Sequence, residues 1–279
     1  MIVLFICLAA LAVWFFYWQD NDIVTTYISF ANKKIPSVFE GFKILQVSDL
    51  HNKNFGKNQF RLIQKIKDLA PDTIVITGDL IDCHRPDVET AMVFIRQAVR
   101  IASVYYVPGN QEARTDEYEN LAGQLKAAGA LLLENAGVRI GRYGETINLT
   151  GAQDIEFLKT GKKGKPLQAF KKRLDYLAPD EEGFTILLSH RPEYLDLYAS
   201  ENVDLVFSGH AHGGQVRLPF LGGLYAPGQG LLPKYTSGLY TQGDTSMIVS
   251  RGLGNSEFPL RVFNRPELIL VTLAAGNEK

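Results

Sequence analysis

From about Phe42 onward, short apolar runs alternate with segments whose apolar residues recur at helical spacing. Lys43 to Val47, Thr73 to Thr77, Val104 to Val107, Phe184 to Leu188 and Leu205 to Phe207 have the length and β-rich character of strands. Between them, Gln59 to Leu69 spaces Phe60, Ile63, Ile66 and Leu69 along one helix face, and Val88 to Val99 and Tyr118 to Ala128 follow the same rule. The alternation predicts an α/β domain, and strands apolar on both faces predict sheets covered by helices. Further on, Thr146 to Thr150, Gln215 to Leu218, Met247 to Ser250 and Leu268 to Thr272 read as strands, most of them without long helices in between. Gly and Pro are frequent from Gly209 to Gly230, which suits an ordered loop region close to a site. No internal repeat or internal boundary shows, so residues 42–279 are expected to form one domain.

The first residues follow a different pattern. Ile2 to Trp18 contains no charged or strongly polar side chain, and Gln19-Asp20-Asn21-Asp22 ends the run. Seventeen residues at about 1.5 Å each are just enough to span a hydrocarbon core of roughly 30 Å. Trp14, Tyr17 and Trp18 match an interfacial aromatic belt. A cleaved signal peptide would have a comparable length, but no basic stretch precedes the run and no small-x-small site follows it. The expectation is therefore a single-pass membrane anchor over residues 1–20, with residues 21–41 forming a connecting segment and a first strand. Lys33 and Lys34 pull the following chain toward the cytoplasm. The lack of basic residues ahead of the run and the usual behaviour of signal anchors weigh the other way, so the expectation leans extracytoplasmic.

Composition narrows the classes. A net charge of −1 argues against a general nucleic-acid binder, and two cysteines, Cys7 and Cys83, cannot make a disulfide framework. Lys159 to Arg173 carries seven basic residues and no acidic one. Such a run can meet anionic lipid or substrate, but solvated loops leading into helices are the commoner setting.

Four of the five histidines sit in short motifs with Asp or Asn, each following a predicted strand. Asp49 and His51 follow Lys43 to Val47, and His210 and His212 follow Leu205 to Phe207. Two residues apart in extended backbone, each pair is expected to emerge on one face. Asp79 follows its strand through Gly78, Asn110 through Pro108-Gly109, and His190 through Ser189. Imidazole, carboxylate and carboxamide collected beyond strand ends suit a metal site in an α/β sheet.

The order Asp-x-His, Gly-Asp-x-x-Asp, Gly-Asn-x-Glu, His, Gly-His-x-His resembles the calcineurin-like metallophosphoesterases, over most of the chain from about Ile35 to Leu273. The string GHAHGGQVRLPFLGG, with SRGLGNS downstream, resembles the membrane-associated YkuE/YaeI-like branch, which also includes UDP-diacylglucosamine pyrophosphohydrolases. The resemblance implies a four-layer αββα sandwich of two mixed sheets. It also implies two divalent ions, Mn, Fe or Zn, one held by Asp49, His51, Asp79 and His212 and the other by Asp79, Asn110, His190 and His210. Asp79 would bridge them, with Asp79, Asn110 and His210 as the catalytic residues. The implied reaction is in-line attack of a metal-bridging hydroxide on a phosphodiester or pyrophosphate. The substrate would be a phosphorylated small molecule or a lipid-linked, cell-envelope compound. Asp82 and Glu112 are expected to orient ligands rather than bind metal. Arg114, Arg191 and Arg251 are candidate phosphate contacts, each equally readable as structural.

One position departs from the family. Histidine usually follows the Gly-Asn pair, where it can act as an acid, and here that residue is Gln111. An amide donates a hydrogen bond but has no proton to transfer near neutral pH. A good leaving group, or a proton from elsewhere, would then be needed. His84 is the spare histidine, though its spacing reads more simply as an exposed loop residue. Two other functions stay open at this point: a metal-dependent phosphomonoesterase, and a catalytically silent metal-binding sensor or adaptor.

Overall fold

The structure is a computed structural model that describes residues 1–158, 165–177, 183–256 and 258–276. It begins with α1 (Ile2–Asn21) and β1 (Val24–Asn32). There follow β2 (Lys43–Val47), α2 (Phe60–Leu69), β3 (Thr73–Ile76), α3 (Val88–Ala98), β4 (Ser103–Tyr106), α4 (Asn110–Ala113), α5 (Tyr118–Ala128) and β5 (Leu131–Leu132). Next come β6 (Ala136–Arg142), β7 (Glu145–Ala152), α6 (Pro166–Leu177), β8 (Thr185–Ser189), α7 (Leu195–Tyr198) and β9 (Leu205–Ser208). Two miniature hairpins, β10 (Arg217–Leu218) with β11 (Gly222–Gly223) and β12 (Tyr225–Ala226) with β13 (Gly230–Leu231), precede β14 (Gly238–Gln242), β15 (Thr245–Val249) and β16 (Glu267–Ala275).

Two six-stranded sheets result, ordered β1-β16-β2-β3-β4-β5 and β14-β15-β9-β8-β7-β6. Both are mixed. In the first, β2 to β5 run parallel and β16 is antiparallel to β2; in the second, β7, β8, β9 and β15 run parallel between antiparallel edges. The period-two alternation of side chains sorts the apolar residues into three layers. Leu45, Val47, Ile74, Ile76, Val104, Tyr106, Leu268 and Leu270 face α2, α3 and α5. Ile44, Val75, Tyr105, Ile269 and Val271 meet Ile186, Leu188, Leu205, Phe207 and Ile248 between the sheets. Leu187, Val206, Met247 and Val249 face α6 and α7. The expected four-layer αββα sandwich is thus the architecture observed.

Local signals explain most helix ends. Asp87 caps α3 by accepting the Thr90 N–H at 3.0 Å, and α5 stops at Gly129, whose φ of 97° admits glycine most readily. In α2 the buried stripe is Leu62, Ile63, Ile66 and Leu69, while Phe60 is exposed, so the buried face is turned by about one residue from the expected one. The helix α6 lies inside the basic run. Of that run, residues 159–164 lie outside the described residues; Lys171 pairs with Asp175 and Glu201, consistent with a solvated helix.

Helix α1 is apolar all round, and Gln19 is its one buried residue. Its last turns are bonded to the body: Gln19 Oε1 accepts the Asn264 N–H at 3.2 Å, and Asp20 Oδ1 accepts the Arg261 N–H at 2.9 Å. Asp22 pairs with Arg265, whose guanidinium lies over the Trp18 ring. Residues 21–41 are no loose linker, because β1 pairs with β16 along nine residues.

Candidate metal centre

The ends of β2, β3, β4, β8 and β9 all open at one edge of the two sheets, where the loops after them converge. Gln46 ties the sheets together there, donating its amide N–H to Thr77 Oγ1 at 3.0 Å and to the Ser208 carbonyl at 2.8 Å. The loop backbones run side by side: Asp49 N–H bonds to Gly78 O, His51 N–H to Asp79 O and Asn52 N–H to Leu80 O.

The manner of presentation corrects the sequence reading. Asp49 (φ 52°), His51 (46°), Asp79 (54°), His210 (63°) and His212 (46°) all lie in the left-handed region, so the pairs are not offered by extended strand alternation. Each such non-glycine conformation costs of order 1–3 kcal/mol and persists where surrounding contacts impose it. Here those contacts are visible. Leu253 and Gly254 N–H groups close on Asp49 O, and His210 N–H donates to Asp49 Oδ1 at 3.1 Å. Gly209 permits this approach, because a Cβ there would sit 2.0 Å from Ser48 Oγ.

Six side chains form two tight donor groups, Asp49, His51, His212 and Asp79, His190, His210, each with ligand atoms within 4.8 Å of one another. All six are buried. Asp79 Oδ2 faces both groups, 3.6 Å from His51 Nε2 and 3.2 Å from His190 Nε2. Asn110 Oδ1 joins the second group at 3.1 Å from His190 Nε2. His212 Nε2 lies 3.4 Å from Asp49 Oδ1 and 3.1 Å from His51 Nε2. Thr77 O, which accepts from His190 Nδ1 at 2.6 Å, fixes that ring with Nε2 inward.

Electrostatics agree with a cation-binding role. Burial opposes charge on Asp79, but the His190 imidazole, with His51 and His210, holds its carboxyl well below the usual range. Burial pushes His190 down, yet Asp79 beside it raises its pKa to about 10. The Asp79 carboxylate therefore favours positive charge beside it, whereas burial raises the Asp49 carboxyl above its usual value. His210 and His212 are held well below the usual imidazole value, by burial first and then by their histidine neighbours, which leaves them neutral and able to ligate. His210 Nε2, His212 Nδ1 and His51 Nδ1 are buried without a hydrogen-bond partner. Imidazole nitrogens facing one another at 3.1 to 3.2 Å, among carboxylates, match borderline divalent ions in donor chemistry. The residues present fit such ions.

Supporting residues behave largely as expected. Asp82 Oδ2 lies 3.8 Å from His51 Nδ1, and Asp82 also accepts the N–H groups of His84 and Arg85; His51 is the main reason its pKa falls to about 2. Glu112 is fully buried and accepts four backbone N–H groups, from Asp79, Leu80, Ile81 and Gly109, at 2.7 to 3.2 Å. It is a clamp that sets the Asp79 loop against α4. Burial and the Asp79 charge push its pKa up to about 7 despite those bonds.

A cavity of 160 Å³ opens over Asp79, Asn110, His210 and His212, walled by Gln111, Arg114, Arg191, Tyr225, Pro227, Gly228 and Ser256. Gln111 Oε1 accepts the Cys83 N–H at 2.9 Å, which leaves the amide N–H donors for the cavity. Arg191 is forked onto Asp154 at 2.7 and 3.2 Å and shares Glu156 with Arg114. Arg251 does not line this cavity; it is bonded to Glu267. His84 is exposed and outside the lining. The cavity wall at Tyr225 to Gly228 falls in the Gly- and Pro-rich stretch expected near a site, and Ser256 ends the SRGLGNS string. Nothing in the sequence marked Asp154 or the Thr77 carbonyl, whose roles arise from neighbours far along the chain.

A buried cluster of imidazole and carboxylate donors at the mouth of an αββα sandwich has the make-up of a metal site, and family membership makes the chain a phosphoester hydrolase. The chain belongs to the calcineurin-like phosphoesterase family, whose model matches residues 42–214. It is 31% identical over 268 residues to the uncharacterized metallophosphoesterase YkuE of Bacillus subtilis, covering 94% of this chain and 89% of that one. It is 30% identical to a transmembrane protein with metallophosphoesterase domain from Bos taurus, over 87% of this chain but 55% of the relative. Among solved structures, TT1561 of Thermus thermophilus shares the fold at a TM-score of 0.51 and 16% identity, covering 76% of this chain and 90% of that one.

Proposed function

We propose that this chain hydrolyses a phosphodiester or pyrophosphate bond at a centre of two divalent ions. Asp49, His51, Asp79 and His212 would hold one ion, and Asp79, Asn110, His190 and His210 the other. The observation that carries this reading is the placement of Asp79 Oδ2 between the two donor groups. Bound ions of this kind acidify a coordinated water and neutralise charge on phosphoryl oxygens. Mn²⁺, Fe²⁺ and Zn²⁺ suit a mixed set of imidazole, carboxylate and one carboxamide.

The chain's own residues account for the rest. Thr77 O orients His190, and Glu112 and the Gln111 N–H, which donates to Asp79 Oδ1 at 2.9 Å, orient Asp79. The Gln111 amide offers a hydrogen bond to a phosphoryl or leaving-group oxygen in the cavity. Arg114 and Arg191 wall the same space with their charge already answered by Asp154 and Glu156, which suits positioning more than tight anion capture.

Metal titration of the purified full chain tests the reading. Chelation is expected to abolish hydrolysis of bis-nitrophenyl phosphate, and Mn²⁺ to restore it in step with two bound ions per chain. Full restoration at one ion would overturn the shared-ligand arrangement. Faster turnover of nitrophenyl phosphate than of the diester would make the protein a phosphomonoesterase instead.

The proposal extends to residues 1–20 as a membrane anchor with the catalytic domain outside the cytoplasm. Lys34 is engaged in an ion pair with Asp204 at 2.9 Å, beyond the nine residues of β1, roughly 30 Å of strand away from α1. That pair cannot form before Asp204 is made, so it leaves the pull of Lys33 and Lys34 during insertion unchanged. External protease should cleave the domain in cells whose anchoring membrane is intact and exposed; complete protection would reverse the orientation.

A further inference from the structure

The loops that wall the cavity, and the hairpin beside them, carry large apolar side chains that are largely exposed. Phe220 at the tip of the β10–β11 hairpin is fully exposed, Leu231 and Leu232 at the end of the β12–β13 hairpin are 81% and 66% exposed, and Phe258 and Phe263 are about half exposed. In a water-soluble enzyme such residues seldom collect around a polar pocket.

Their neighbour is α1. Phe263 packs against Phe15 with ring centroids 5.7 Å apart, and Arg261, Asn264 and Arg265 hold Asp20, Gln19 and Asp22. The β10–β11 hairpin springs from the same place, since Arg217 N–H donates to Val262 O at 2.9 Å. Phe220 is three residues further on, within roughly 10 Å of that bond even if the chain is fully extended. If α1 is the anchor proposed above, its apolar part is barely long enough to span a bilayer, and Phe15 and Trp18 then both lie in the hydrocarbon or its interface. A loop in contact with Phe15 is then at the membrane surface as well. The bonded junction leaves no slack for the body to stand clear.

We propose that the cavity rim is a second membrane contact, formed by the 218–221 tip, Leu231 and Leu232, and Phe258 to Phe263, which holds the cavity mouth against the bilayer. The pocket then takes an amphiphile whose phosphoester sits at headgroup level while its apolar tail stays in the lipid. This rests on the hydrolase and anchor readings above and adds the direction from which substrate arrives.

The test uses the full chain reconstituted in phospholipid vesicles. In a Cys7→Ser, Cys83→Ser background, Phe220→Cys and Leu231→Cys each carry an environment-sensitive fluorophore, and Tyr143→Cys, in the exposed turn after β6, is the control. Acyl chains brominated near the headgroup are expected to quench labels at 220 and 231 and to leave 143 unquenched. Equal exposure at all three positions overturns the proposal, as does protection that appears only when a second copy is present. In a second arm, the triple variant Phe220→Asp, Leu231→Asp, Leu232→Asp should lose tenfold or more on a vesicle-embedded lipid diester and stay within twofold on bis-nitrophenyl phosphate. Equal losses on both overturn it. Wild-type protein inert on the soluble diester would refute the hydrolase reading, while the quenching arm would still judge the rim.

Discussion

Asp79→Asn is expected to lower hydrolysis by about 10³-fold or more, the scale seen when one member of a jointly acting set is removed. The substitution changes almost no volume, so the effect comes from charge and donor direction. Asp79 Oδ1 accepts the Gln111 N–H, and Oδ2 faces the imidazoles of His51 and His190. An asparagine must turn its NH₂ to one of these places. Toward Gln111 it sets donor against donor; toward the histidines it replaces the atom that both donor groups share. Either way the ion stoichiometry should fall from two, which metal analysis of the purified variant would show. A thermal melt separates this from unfolding, since the Glu112 clamp grips the loop through its backbone and does not involve the Asp79 side chain. An unchanged rate would sink the ligand assignment.

Gln111→His should raise turnover of alkyl phosphodiesters by about 10²-fold, the lower end of what general acid catalysis contributes, with little gain on pyrophosphates. The geometry allows the exchange. Gln111 Oε1 now accepts the Cys83 N–H; an imidazolium, with N–H on both ring nitrogens, gives up that bond and turns a transferable proton toward the cavity. A phosphate leaving group, with a pKa near 6, needs no proton at neutral pH, whereas an alkoxide does. Steady-state rates on a matched diester and pyrophosphate pair check the result. Equal gains on both would mean that the residue positions substrate without regard to the leaving group.

Much of the fold could be read from the sequence wherever local pattern and burial agree. β2 and α5 fall where their apolar spacing places them, because each buries residues against a layer matching its own period. The edge strands are different. β6 (Ala136–Arg142) has small residues and arginines with no side fully buried, and β14 (Gly238–Gln242) likewise has no buried side, so neither carries a strong alternation. Their pairing is supplied by β7 and β15. At the site, the identity of the metal-binding candidates was legible because aspartate and histidine cluster in few motifs. Their backbone conformation was not. Of the five residues in the left-handed region, Asp49 and His51 are held by bonds with Gly78, Asp79, Leu253 and Gly254, and no short window of sequence contains those partners. The same is true of Gln19, Asp20 and Asp22, which read as the polar stop of an apolar run and turn out to be bonded to residues more than 240 positions away.

The position of β16 has a consequence for how the molecule is made. This strand, near the end of the chain, lies between β1 and β2 and joins them in the sheet. Leu253 and Gly254, which close on Asp49, also come late. As the ribosome delivers the chain, the first strand has no partner and the Asp49 loop no lock until residues 253–275 have emerged. The donor set is incomplete until His212 is made, and the Asp49 loop stays unlocked until Leu253 and Gly254 follow it.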